Sequence, residues 1–460
     1  MLVGAFAFRN WPYLTKSRMS TVSSPEHTAL FVVHYGMLFH EGTTKLPKSG
    51  KTLLGLIGAA DSDIPIVCEK ALRESISHLQ TTKTNQASVD ELRAHLTVLL
   101  AESGSMTNAQ RELGLLDKSG PAAAFKGQFE SLYATNKLRA YVWGDPETNL
   151  LSGWAAWRFT ARWLNARGDQ TNLTRHEVEI SSAERTLLSR DISVFFTAWL
   201  VQVAGFIVLA VMFFSKSLAG PICPTVPNPD WTAAEVWGLF VRAFLLGIVL
   251  EYATIYIPVY GYYAWVAHCF VFCIPTIALL LSRHWIRNPI SFRQFFGLPG
   301  DEMGIAKLIC SSLVLFAICW FTLTWVPRGI EALGFKSHWS ESIDEVLFMW
   351  PTEYRVIRVM DGVIFGPLLE EIVFRGLLFG ALRMSMPAVP AAAVSSIAFG
   401  VNHFYSLPGF LGVTAFGFWC AMAREKTGSL VPGILVHMLT NLFLIGGEAW
   451  VTSSVNGFGA

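Results

Sequence analysis

The sequence predicts an all-α chain, a polytopic transmembrane helical bundle of about eight spans preceded by a soluble and mainly helical domain. Three observations point there. The 460 residues are 52% hydrophobic and only 15% charged, with a mean hydropathy of +0.42, too apolar for an ordinary soluble protein. Long apolar runs follow one another from residue 192 onward. Residues 1–190, in contrast, hold no run near the ~20 residues a bilayer span requires, and they are well supplied with Lys, Arg, Glu, Ser and Thr. The chain therefore reads as a soluble domain over 1–190, a first group of spans with a polar connection over 191–340, and a second group of spans over 341–460.

The net charge of +1, with no Lys/Arg cluster and no zinc-finger spacing, excludes an electrostatic grip on nucleic acid. The seven Cys contain no C-x-x-C pair and lie mostly in apolar segments, so they read as reduced and packed rather than bridged.

Taken in order, the opening "MLVGAFAFRNWPYLTKSR" has too short an apolar core, and no small-residue cleavage site, for a secretory signal. The first domain is accordingly expected in the cytoplasm. Within it, "SVDELRAHLTVLLAE" and "GWAAWRFTARWLNARG" repeat apolar residues at three and four spacing, which predicts helices. The phrase "KSGKT" at 48–52 has Lys at 45, where a phosphate-binding loop needs Gly, and is expected to be a solvated turn. The apolar runs then fall at 192–214, 235–257, 259–282, 305–326, 359–382, 388–405, 408–423 and 430–447. The second and third share the Tyr-rich hinge "IYIPVYGYYAW", and the last four are joined by short connections that imply a compact bundle. Between the groups, the polar stretch 327–358, which contains "FKSHWSESIDEV", has room for an amphipathic interfacial helix. Lys and Arg flank the two faces almost evenly, so the positive-inside rule leaves the orientation open.

"PLLEEIVFRGLLFG", residues 367–380, places three charges inside an apolar span. Each costs at least ~2.5 kcal/mol at mid-bilayer, so each needs a partner or a purpose. Glu371 and Arg375 stand at i and i+4 in the favourable order for an ion pair. Glu370, about 100° round the helix, is left to face a cavity. Phe399 and His403 in "SSIAFGVNHFYSL" repeat the i, i+4 spacing, as do His437 and Asn441 in "VPGILVHMLTNLFLIG". At ~1.5 Å per residue, Glu370, His403, His437 and Asn441 come to lie roughly 20, 22, 10 and 16 Å deep. A carboxylate, two imidazoles and an amide meeting in a dry chamber suit water activation and oxyanion stabilisation.

The pattern E-E-x-x-x-R, F-x-x-x-H and H-x-x-x-N on consecutive apolar helices resembles the CAAX-protease and bacteriocin-processing (CPBP, or Abi) family, which includes the Rce1-type prenyl endopeptidases. Gly376 after the arginine and "EKTGSLVPGILVH" before the last motif match its usual context. The resemblance covers roughly residues 355–447 and makes 341–460 the catalytic core. It implies peptide-bond hydrolysis within the membrane, on a membrane-associated protein or peptide that can carry a prenylated C-terminus. It further implies that Glu370 and His403 activate water, that His437 and Asn441 support the oxyanion, and that Glu371, Arg375 and Phe399 hold the site. No cofactor is expected. A catalytic zinc ion, were one present, would draw on Glu370, His403 and His437, but H-E-x-x-H is absent: "HEGTT" and "HEVEI" both lack the second His.

Other readings stand beside this one. Buried carboxylates and histidines also serve transporters and proton relays, yet no internal repeat links the two groups of spans. A catalytically silent scaffold is opposed by the complete set of motif residues. Ser395 and Ser396 lack a G-x-S-x-G context and read as helix-packing residues rather than nucleophiles. The long first domain is not part of the family pattern, which suggests a role in binding a partner or recruiting substrate.

Overall fold

A computed structural model describes residues 25–57, 64–82, 85–134, 150–214, 221, 232–242, 245, 292–342, 352–403 and 405–453. Helices make up the secondary structure of these residues, with no strand among them. The described chain divides into two compact units: one takes residues up to Ser193 and from Trp450 on, the other Val194–Glu341 and 352–449.

The first unit is built from α1 (Pro25–Thr44), α2 (Lys48–Ile57), α3 (Ile64–Thr81), α4 (Gln86–Glu102), α5 (Met106–Gly114), α6 (Gly120–Phe129), α7 (Gly153–Arg167) and the first half of α8 (Gln170–Phe214). The two periodic stretches form α4 and α7. Every residue of α4 from Leu92 to Ala101 is buried, so this helix is central rather than peripheral. Asn85 starts it, its side chain accepting from the Ala87 N–H. Gly168, at φ +74°, ends α7 in the left-handed region that glycine tolerates. "KSGKT" differs from expectation: it is exposed but forms the first turn of α2.

Glu41 and His95, inside this unit, have more than one partner each. Glu41 accepts from Trp154 Nε1 at 2.7 Å and from Arg158 Nε at 2.9 Å. His95 Nε2 accepts from the Ser152 N–H at 2.9 Å, which leaves Nδ1 as the donor to Glu91 O, also at 2.9 Å. Burial, aided by the charge of His95, lowers the pKa of His34 to about 4. Burial also lowers that of His95 to about 4.

The second unit holds the apolar half of α8, then α9 (Phe292–Phe296), α10 (Glu302–Ala332), α11 (Thr352–Met360), α12 (Gly366–Glu370), α13 (Phe379–Arg383), α14 (Ala388–Val401), α15 (Leu407–Thr427), α16 (Val431–Asn441) and the start of α17 (Gly447–Thr452). Wider π turns link several of these, at Asp361–Phe365, Glu371–Leu378 and Leu442–Gly446. Asp301 caps α10, its carboxylate accepting from the Gly304 N–H at 2.9 Å. Gly205 of α8 lets the two helices approach, because a Cβ there would overlap the Leu313 carbonyl of α10. Pro327 interrupts α10 near its end and lies against Gly412 of α15.

Three helical stretches among the described residues are long and apolar enough to cross a membrane: Gln170–Phe214, Glu302–Ala332 and Val431–Thr452. Of the expected span at 235–257, residues 235–242 and 245 are described and helical; that at 259–282 lies wholly outside the described residues. The run at 388–405 yields a helix of only 14 residues, because the chain turns at Asn402 and His403. That at 408–423 lies within the 21-residue α15, whose last turns carry Arg424, Glu425 and Lys426. In "FKSHWSESIDEV" residues 335–338 have no regular structure and Trp339–Ser342 form a short 3-10 turn; the expected interfacial helix falls largely on 343–351, outside the described residues.

Candidate active site

Glu371 and Arg375 form the ion pair that their spacing implies, with Nη1 2.9 Å from Oε1 and side chains only 1% exposed. The helix carrying them is a π turn, and its extra residue per turn releases carbonyls from the regular ladder. Ser395 Oγ donates at 2.8 Å to Phe374 O, which also accepts from the Phe379 N–H, while Ser396 Oγ donates to Ala392 O. Both serines are thus committed to holding helices.

Space for the pair is supplied by two glycines. A Cβ at Gly417 of α15 would stand 2.8 Å from Arg375 Nη2, and one at Gly433 of α16 would stand 2.8 Å from Glu371 Oε2. The guanidinium lies over the Phe399 ring, with Cζ 4.1 Å from its centroid. Among the described residues, Arg375 Nε and both Nη atoms, as well as Glu371 Oε2, make no hydrogen bond. Arg375 is held by charge and by the ring face.

His437 joins the two glutamates. Its Nδ1 lies 3.1 Å from Glu371 Oε1 and its Nε2 lies 3.5 Å from Glu370 Oε2. The rings of Phe416 and Phe399 stand edge-on to it, at 5.0 and 5.8 Å. Glu370 is the accessible member, with its side chain 30% exposed against 5% for His437.

His403 enters from the other side of Phe399. Its ring lies 4.6 Å from the Phe399 ring, and Nδ1 is 2.9 Å from Phe399 O. A carbonyl oxygen only accepts, so Nδ1 carries the proton and Nε2 of the neutral ring is the basic nitrogen. Among the described residues His403 makes no hydrogen bond or ion pair with Glu370. Asn441 Nδ2 donates to Gly362 O, in the first π turn, at 2.7 Å; its second amide N–H is left for another acceptor.

The structure therefore brings Glu370, Glu371, Arg375, Phe399 and His437 into one cluster, attaches His403 through Phe399, and sets Asn441 one turn along α16. Sequence spacing did not reveal that one imidazole spans both glutamates. No local pattern signals a contact across 66 residues. Gly417 and Gly433 also escaped notice, since glycines are common in membrane helices.

Among the described residues no group of three or more His, Cys, Asp or Glu side chains is placed to hold a metal ion. Both nitrogens of His437 face carboxylates, and Nδ1 of His403 is turned to a backbone carbonyl.

Residues 352–443 match the family described as type II CAAX prenyl endopeptidase, Rce1-like. YdiL of Bacillus subtilis (strain 168), assigned as a membrane peptidase, is 27% identical over 192 residues, covering 39% of this chain and 70% of the relative. The membrane-embedded CAAX protease MroQ of Staphylococcus aureus (strain USA300) is 36% identical over 213 residues, covering 43% of this chain and 76% of the relative. No solved structure gives a significant match.

Proposed function

This chain belongs to the Rce1-like CAAX endopeptidase family of membrane proteases, and from that premise we propose that Glu370 drives hydrolysis of a peptide bond in a membrane-associated protein or peptide. The observation that carries this reading is the contrast between the two adjacent glutamates. Glu371 is sealed against Arg375, whereas Glu370 is accessible and backed by His437.

In this mechanism the Glu370 carboxylate takes a proton from water as the water oxygen bonds to the scissile carbonyl carbon. His437, donating through Nδ1 to Glu371, holds its Nε2 beside Glu370 and shares the proton there. His403 offers Nε2 as a second basic nitrogen to the same water. The free N–H of Asn441 donates to the oxyanion, where a low local dielectric strengthens each hydrogen bond. As the C–N bond breaks, the proton returns to the leaving amine. The chemistry proposed needs no metal, in keeping with the donor set described above.

The family's name and that of MroQ support a substrate ending in a C-a-a-X sequence, whose Cys carries a prenyl chain. The N-terminal unit would then lie in the cytoplasm and recruit substrate or a partner.

The test uses the full chain in proteoliposomes with two probes, a farnesylated C-a-a-X peptide and an unmodified hydrophobic peptide. Cleavage of the first alone supports a prenylated substrate, and cleavage of the second redirects it. Glu370→Gln is expected to lower the rate about 10²- to 10⁴-fold while the protein stays folded. Undiminished cleavage by the purified variant overturns the assignment.

A further inference from the structure

The polar connection after α10 has no part in the chemistry so far, yet it reaches the loop that bears His403. After Gly334, at φ +97°, the chain runs through Ser337 and His338 into the 3-10 turn at Trp339, with Trp339 and Ser340 buried. The next side chain, Glu341, grips Ser406. Its Oε1 accepts from the Ser406 N–H at 2.7 Å and its Oε2 accepts from Ser406 Oγ at 3.0 Å.

Ser406 is the N-cap residue of α15, but it makes no side-chain cap bond of its own. Its hydroxyl is turned to Glu341 instead. The carboxylate thus supplies both a hydrogen-bond acceptor and a negative charge at the positive end of a 21-residue helix. Gly409, in the first turn, leaves the room: a Cβ there would stand 2.9 Å from Glu341 Oε2 and 2.9 Å from Tyr405 Cβ.

The residues held in this way are Asn402, His403, Tyr405 and Ser406, between α14 and α15. Their near end is fixed by the His403 N–H to Gly400 O at 3.1 Å and by the ring contact with Phe399 O. Their far end is fixed by Glu341. Between them the Tyr405 ring lies 5.8 Å from that of His403. Only two residues separate the gripped serine from the catalytic imidazole, and freeing that serine lets the ring drift.

We infer that Glu341 is a positioning residue for the hydrolysis: it pins Ser406 and so fixes where His403 presents its Nε2 to the attacking water. The inference rests on the role proposed for His403. Glu341 does not touch the reacting atoms.

The experiment compares Glu341→Ala, Glu341→Asp, Glu341→Gln and His403→Ala in the full chain in proteoliposomes. Each is assayed for kcat and KM on whichever probe peptide the wild type cleaves, and its unfolding temperature is read in detergent. Glu341→Ala is expected to lower kcat about 10- to 100-fold, the size a misplacement near 1 Å produces, with KM within about twofold. Glu341→Gln, whose amide can meet both Ser406 groups, is expected to recover kcat to within about threefold of wild type. Glu341→Asp is one methylene too short and is expected to behave like Ala. Ser406→Ala added to Glu341→Ala should lower kcat no further, since the two act as one unit. Wild-type kcat in Glu341→Ala overturns the inference, as does an equal loss in the Gln variant. Where the Ala variant does not fold, the Asp variant takes its place, and wild-type kcat in it is equally decisive. An active His403→Ala overturns the underlying mechanism; an inactive one beside a fully active Glu341→Ala overturns this inference alone.

Discussion

The two units bury charge in different ways. In the N-terminal unit Glu41 has an indole and a guanidinium as hydrogen-bond donors, and His95 is bonded through both nitrogens. In the membrane unit Arg375 rests on one carboxylate and one ring face, with its N–H groups outside any hydrogen bond among the described residues. Burying an ion pair so sparsely costs more than it stabilises. The first arrangement locks helices together; the second lies beside the more accessible Glu370, the carboxylate proposed to act on water.

Removing one partner breaks this comparison most directly. Arg375→Leu leaves Glu371 as an uncompensated buried charge and is expected to destabilise the membrane unit by about 3 to 5 kcal/mol. The measure is folded yield and unfolding temperature in detergent, with Glu370→Gln as the folded but inactive contrast.

Acid separates the units in the opposite sense. In the unfolded chain His34 and His95 bind protons near pH 6.5, whereas in the fold they remain neutral until about 4. Their contribution is fully present above pH 6.5 and is lost as the pH falls through 4. Keeping each ring neutral over that interval corresponds to about 3 kcal/mol. Trp157, 5.5 Å from the His34 ring, gives the readout by fluorescence. Replacing both histidines with Gln should flatten this part of the profile, and an unchanged profile would remove the contrast.

Gly433→Ala is a finer probe. Its new methyl group presses on Glu371 Oε2, and overpacking of this kind costs about 1 to 3 kcal/mol. The expected outcome is lower kcat together with a lower unfolding temperature. Smallest of all is Glu425→Gln: the bidentate bond to Arg383 at 2.9 and 3.0 Å is partly exposed, so its loss should cost about 0 to 1 kcal/mol with no change in kcat.

Local pattern carried much of this architecture. The helical class, α4 and α7 were legible because three and four spacing is a property of neighbouring residues. The Glu371–Arg375 pair was legible for the same reason. Three features were not. π turns leave no periodic signature, so a regular 100° step set Glu370 and Glu371 on different faces, although His437 touches both. Hydropathy averaged over a span could not show that the run at 388–405 turns at Asn402, because the long apolar stretch before it outweighs the few polar residues at the turn. Nor did the polar connection announce that Glu341 reaches Ser406, 65 positions away.

The amide of Asn441 on the Gly362 carbonyl has a mechanical consequence. With His437 fastened to the glutamates farther along the same chain segment, α16 is stapled to the 361–378 stretch at two heights and the pair forms one stiff jaw. Hydrogen exchange along α16 should accordingly be slowest between His437 and Asn441.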